Sequence, residues 1–216
     1  MNIVTCLKVL YVFLIIIQLT NASSQQNKSN RLIQIENSKF IEELRTQLIQ
    51  DQLEQDKIYW DRYTNDLVHG PGTEETLNYI YFDKAGNKTY GIGHKVSINE
   101  PEYLLSMGSK ISQDIIEKKF DVDIYQAIYA CEHIWPDFDN LYIEIKLVLA
   151  NMMYNVGSKN FIRFSHMIEA LHFEDYSTAA DSMIRTVWFK QETHRARRLV
   201  RKMFGISHTF YNIKND

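Results

Sequence analysis

The sequence predicts an α+β fold in which a small β element stands beside a larger, mostly helical lobe. Three observations lead there. Glycine and proline are scarce, at 8 and 3 of 216 residues, which disfavours a turn-rich β-sandwich. Residues 79–98 hold two β-prone runs around a turn. From Ser112 onward, apolar residues recur at helical spacing. The length suits one well-packed domain, or two small lobes sharing a helix. A net charge of −3 makes no demand for a nucleic-acid partner.

The elements follow in order. Residues 1–22 read as a signal peptide: Lys8 is a small positive n-region, Val9 to Leu19 is apolar, and Thr20 and Ala22 are small residues before a cut after Ala22. The expected destination is outside the cell or the lumen of a digestive vacuole, with no stable membrane insertion after cleavage. The alternative is an uncleaved anchor, although the run falls short of the roughly 20 residues a span needs. Cys6 leaves with the peptide, so Cys131 stands alone and no internal disulfide forms. At helical spacing from Phe120, Ile124 and Ala127, Cys131 reads as a buried small hydrophobe. No pattern of Cys and His calls for a metal, and no cofactor is expected.

Residues 23–30 are polar, with the composition of a disordered leader. Residues 31–68 read as helical, with Ile33, Phe40, Leu44, Leu48, Leu53, Ile58 and Tyr63 at mixed steps, until HGPGT (69–73) breaks the pattern. Tyr79 to Phe82 form the first β-prone run, residues 84–87 a turn, and TYGIGHKVSI (89–98) the second. Ser112 is a helix N-cap candidate, with Asp114 in the first turn and Ile116, Phe120 and Ile124 on one face. Residues 141–156 are apolar almost all round, which predicts a central buried helix stopped by Gly157. Shorter amphipathic helices follow near 161–172, 175–188 and 193–204. The expected organisation is therefore signal peptide 1–22, leader and helical extension 23–68, and main domain 69–216.

The stretch EETLNYIYFDKAGNKTYGIGH (74–94) carries chemistry. Breaking a glycosidic bond needs a proton donor for the leaving oxygen and a second carboxylate that activates water or attacks directly. The two must face one another in environments that keep one protonated and one ionised. Glu74, just after a chain break, and Asp83, at a strand-to-turn corner, are such a pair in type. Spacing alone leaves their facing open.

The order Glu74, Ile80-Tyr81, Asp83, Gly86, Thr89, Gly91-Ile92-Gly93-His94 resembles the active-site signature of the phage-type (T-even) lysozymes, glycoside hydrolase family 24. A second match follows later in family spacing: Asn151-Met152, Gly157, Phe164, Ala179-Ala180, Trp188, Gln191, Arg195-Ala196 and Arg198. The resemblance implies a lysozyme-like fold and a muramidase. It casts Glu74 as the general acid, with Asp83 and Thr89 positioning and activating the attacking water for inversion. Arg195 takes the place of an arginine beside the catalytic glutamate, and Tyr154 an aromatic substrate-contacting position. His94 would pair with Asp123 of the following helix in a structural role.

The chain departs from the family in places. Glu75 stands where a glycine is usual, HGPG precedes the site in place of a continuous helix, and the segment from His94 to Ser112 is short. Glu75 is the alternative acid. Asn87-Lys88-Thr89 is an N-glycosylation sequon, expected to stay unmodified in active protein, whereas Asn27 is free to be modified. Tyr81, Phe164 and Trp188 read first as core aromatics, and HRARRLVRK (194–202) as a solvated helix face. The expected partner is bacterial peptidoglycan and the expected state a monomer. The alternatives are a catalytically weak wall-binding protein of this fold and an interaction protein acting through its N-terminal helix.

Overall fold

The computed structural model describes residues 37–54, 56–61, 66–71, 74–83 and 85–215. The signal peptide and polar leader lie outside the described residues. The chain divides into two compact units, Met1–Glu43 and Leu44–Asp216. Of the first, residues 37–43 are described and are helical. The second unit, Leu44–Asp216, carries the sheet and the helical lobe.

In this unit, helical residues 44–54 (α1) bring Leu44 and Leu48 into the core, and with them the buried polar residues Gln47, Asp51 and Gln52. The helix expected to run to residue 68 stops at 54. Asp56–Asp61 (β1) and Asp66–Pro71 (β2) form an antiparallel pair instead. Ile58-Tyr59-Trp60 is a β-prone run, and the Asp, Asn and Thr residues of 61–66 are turn formers. A short helix, Glu74–Leu77 (α2), leads into Tyr81–Phe82 (β3), Lys88–Tyr90 (β4) and His94–Lys95 (β5). The sheet order is β2-β1-β3-β4-β5, antiparallel throughout, so the β element is larger than the expected hairpin.

The second β-prone run is divided by the turn 91–93. A Cβ on Gly91 (φ +58°) would stand 2.9 Å from Ile116 Cγ2, and one on Gly93 (φ +84°) 2.9 Å from Gln52 Oε1. The left-handed conformation at both positions, and the approach of Ile116 at Gly91, therefore favour glycine here. This turn is where the sheet meets the helices.

The helical lobe comprises Gln113–Ile134 (α3), Ile143–Val156 (α4), Ser158–Phe161 (α5), Ser165–His172 (α6), Tyr176–Ile184 (α7), Val187–Gln191 (α8) and Thr193–Asn215 (α9). Residues 145–153 of α4 are all buried, and Gly157 (φ +73°) ends it as expected. Ser112 precedes α3, but its side chain makes no capping bond; its carbonyl accepts from Ile115 and Ile116 N–H. The helix expected over 175–188 is broken, because Thr186 caps a new one by accepting from Phe189 N–H at 3.1 Å. Cys131 is fully buried, and burial pushes its thiol pKa up. Arg45 ties α1 to α3: it donates to Glu117 and Asp121 and lies 4.6 Å from the Phe120 ring centroid. Among the described residues, no helix is long and apolar enough to cross a membrane.

Candidate active site

Asp83 follows β3 and opens a tight turn in which Gly86 takes φ +80°. Its carboxylate collects the donors of that turn. Oδ1 accepts from Ala85 N–H at 2.9 Å and Asn87 N–H at 2.8 Å, and Oδ2 from Asn87 Nδ2 at 2.8 Å. Lys95 Nζ is 3.7 Å from Oδ2. Thr89 pairs with Tyr81 across the β3–β4 ladder, and its hydroxyl donates to the Asn87 carbonyl at 2.9 Å. The Thr89 proton is thus committed, and its oxygen remains an acceptor. Asp83, Thr89, Gly93 and Lys95 form one wall of a cleft of about 950 Å³.

The opposite wall is helical. Asn155, Phe164, Trp188 and Arg195 line it, together with Gln191 and Glu192. Trp188 is fixed by its indole N–H, which donates to Asn155 Oδ1 at 2.8 Å, and by an edge-on contact with Phe164. Trp188 and Phe164 are therefore cleft-lining residues as well as packing residues, while Tyr81 is buried as expected. Tyr154 lines the cleft too, but its hydroxyl is spent on the Ile92 carbonyl at 2.5 Å. That bond ties α4 to the glycine turn and commits the Tyr154 hydroxyl proton, while its oxygen remains an acceptor.

Gln52 of α1 also lines the cleft. Its amide N–H donates to Tyr81 Oη at 2.6 Å, and its Oε1 lies against Gly93. Behind it sits a buried ionic cluster. Asp51, whose side chain is fully buried, accepts two short bonds from Arg198 Nη2 (2.5 and 2.6 Å) and one from Asn151 Nδ2 (2.9 Å). Arg195 Nε is 3.3 Å from the same carboxylate. Arg195 is itself buried, so its charge is balanced by Asp51 where it faces the cleft.

The expected pair is present: His94 Nδ1 lies 2.8 Å from Asp123 Oδ2. A second acid was missed. Glu100 stands 3.0 Å from Nε2 and also accepts from Lys119 and from Ser97 N–H. Burial by itself would lower the His94 pKa, but hydrogen bonds and charge from Asp123 and Glu100 prevail and raise it. Burial works against the Glu100 carboxylate, yet Lys119, Ser97 N–H and His94 bring its pKa down to about 2. The His94 contribution to stability is complete below about pH 6.5 and is lost as pH rises through the raised folded value. The Glu100 contribution is complete above about pH 4.5 and is lost towards pH 2. His94→Gln should therefore cost more stability at about pH 5.5 than at about pH 9 in denaturant titrations. Equal losses at both would contradict the charged pairing.

Asp83, Thr89, Tyr154 and Arg195 thus share one cleft, while His94 and Asp123 clamp the sheet to α3 beside it. Glu74 is the first residue of α2, which is pinned to the glycine turn where Gly91 N–H donates to the Leu77 carbonyl at 2.9 Å. The side chains of Glu74 and Glu75 lie outside the described residues. Gln52 and Asp51 escaped the sequence reading, although an acid on the apolar Leu44–Leu48 stripe is a usable signal.

The family model described as phage lysozyme matches residues 72–203. The chain belongs to the phage lysozyme family. Its relatives include probable T4-type lysozyme 2 of Dictyostelium discoideum, 26% identical over 140 residues, covering 56% of this chain and 82% of the relative. Probable T4-type lysozyme 1 of the same organism is 24% identical over 143 residues, with the same coverage. Membership supports a glycoside hydrolase of muramidase type.

Proposed function

We propose that this protein is a muramidase that hydrolyses the β-1,4 bond between N-acetylmuramic acid and N-acetylglucosamine in bacterial peptidoglycan. The observation that carries the reading is the pairing of Asp83 and Thr89 in one cleft, with the carboxylate held by its own turn and the hydroxyl proton turned away. Water bound there gives one proton to Asp83 and directs the other at Thr89 Oγ1, which leaves an oxygen lone pair free to attack the anomeric carbon. Glu74 is assigned the proton for the leaving oxygen, with Glu75 as the alternative. The signal-like residues 1–22 support action outside the cell or in a digestive vacuole, by a monomer on peptidoglycan, with no nucleic acid involved.

Attack from the face opposite the leaving group inverts the anomeric centre. Purified peptidoglycan treated with the protein should release muramic-acid reducing ends that appear first as the α-anomer, followed by proton NMR during the reaction. First appearance of the β-anomer would contradict the water-activating role of Asp83.

One observation favours a second reading, a wall-binding protein with weak catalysis. Gln52 is an amide on the cleft surface beside Tyr81 and Gly93, and an amide cannot supply the acid proton. Tight wall binding without release of reducing ends would select that reading.

A further inference from the structure

We infer that Asn87 is the positioning residue for the attacking water, because it hydrogen-bonds to both groups assigned to that water. This rests on the hydrolase reading above. The Asn87 backbone N–H and carboxamide each hold one oxygen of Asp83, at 2.8 Å in both cases. Its carbonyl accepts the Thr89 hydroxyl at 2.9 Å and the Asp83 N–H at 3.0 Å. One exposed turn residue therefore sets the rotation of the carboxylate and the direction of the hydroxyl.

The consequence is an assignment of atoms. Asp83 Oδ1 accepts two backbone N–H groups, which occupy both of its lone pairs. Among the described residues, Oδ2 accepts a hydrogen bond from the Asn87 carboxamide only, and Lys95 Nζ is its ion-pair partner at 3.7 Å, beyond hydrogen-bond range. Oδ2 is then the oxygen with a lone pair left to take a proton from water, and Asn87 Nδ2 is the donor that turns that lone pair towards the cleft. The same nitrogen is the acceptor atom of the Asn87-Lys88-Thr89 sequon. A sugar there would replace one of its two hydrogens and stand against Asp83, which gives the expected absence of glycan a physical basis.

The test compares wild type, Asn87→Ala and Asn87→Asp on purified peptidoglycan, with thermal melting of each. Losing one hydrogen bond to a charged group should lower kcat about tenfold in Asn87→Ala, with KM and Tm little changed, since the side chain is exposed. Asn87→Asp should be slower still near neutral pH, where two carboxylates face each other. The gap to Asn87→Ala should narrow as pH falls and a shared proton restores a donor. A purely structural role would not move this pH-dependent ratio. Wild-type kcat in Asn87→Ala, or the same ratio at every pH, overturns the inference while leaving the hydrolase reading intact. An independent readout is amide exchange by NMR: an Asn87 Nδ2 proton should be protected in wild type and exposed in Asp83→Ala, and absence of protection overturns the inference whatever the activity. Wild-type silence on peptidoglycan overturns the hydrolase reading and with it the catalytic role of Asn87.

Discussion

Replacing Asp83 by Asn should lower kcat on peptidoglycan about a hundred- to ten-thousand-fold, the range supplied by a positioned base. Asn keeps the shape of the carboxylate but cannot take the water's proton. It also meets an environment made for an anion. Three donors converge on Asp83, two on Oδ1 and one on Oδ2. Whichever way the Asn amide is turned, its own NH₂ faces at least one of them. That mismatch should cost about 1 kcal/mol of stability, far too little to unfold a domain of ordinary stability. Kinetics of peptidoglycan digestion alongside a denaturant titration would separate the two effects. Activity within threefold or so of wild type would remove Asp83 from the chemistry.

The largest expected effect on stability is at Asp51. Its carboxylate is fully buried and faces Arg195 and Arg198 together, with Asn151 completing the cluster. Arg198 is partly exposed and can reach water, whereas the Arg195 side chain is almost wholly enclosed. Asp51→Asn should therefore leave Arg195 as an uncompensated buried charge, at a cost of about 3–5 kcal/mol. For a domain of this size that is a fall in Tm of roughly 6–20 °C by calorimetry. Arg198→Met should cost less, because the remaining pair of Asp51 and Arg195 is still neutral. If Asp51→Asn melts within a degree or two of wild type, the cluster does not carry the charge balance of the cleft wall.

Much of this was legible in the sequence because it is local. The apolar continuity of 145–153 predicts a buried helix, and Gly157 its end. The Asp83–Thr89 turn is read from consecutive residues, and family spacing linked His94 to Asp123. What was missed depends on partners far along the chain. Asp51 looks like any helix-surface acid until Arg195 and Arg198 arrive from α9 to neutralise it. Glu100 gains its role from Lys119 on α3 and from His94. The β1–β2 pair was hidden for another reason. Ile58 and Tyr63 extend a loose helical stripe, and only pairing with β3 at Ile58 and Phe82 resolves the ambiguity in favour of a strand. The break before Thr186 rests on a single side-chain cap inside an otherwise helical pattern.

The central proposal is that the protein cuts the glycan strand with Glu74 as the acid. The most direct measurement is digestion of purified peptidoglycan by wild type and by Glu74→Gln, with the released muropeptides identified by mass spectrometry. Gln preserves size but cannot donate the proton. The account predicts fragments ending in reducing muramic acid from wild type, and almost none from Glu74→Gln. Fragments from both proteins in equal amount would contradict it and pass the acid's role to Glu75, to be tested by Glu75→Gln.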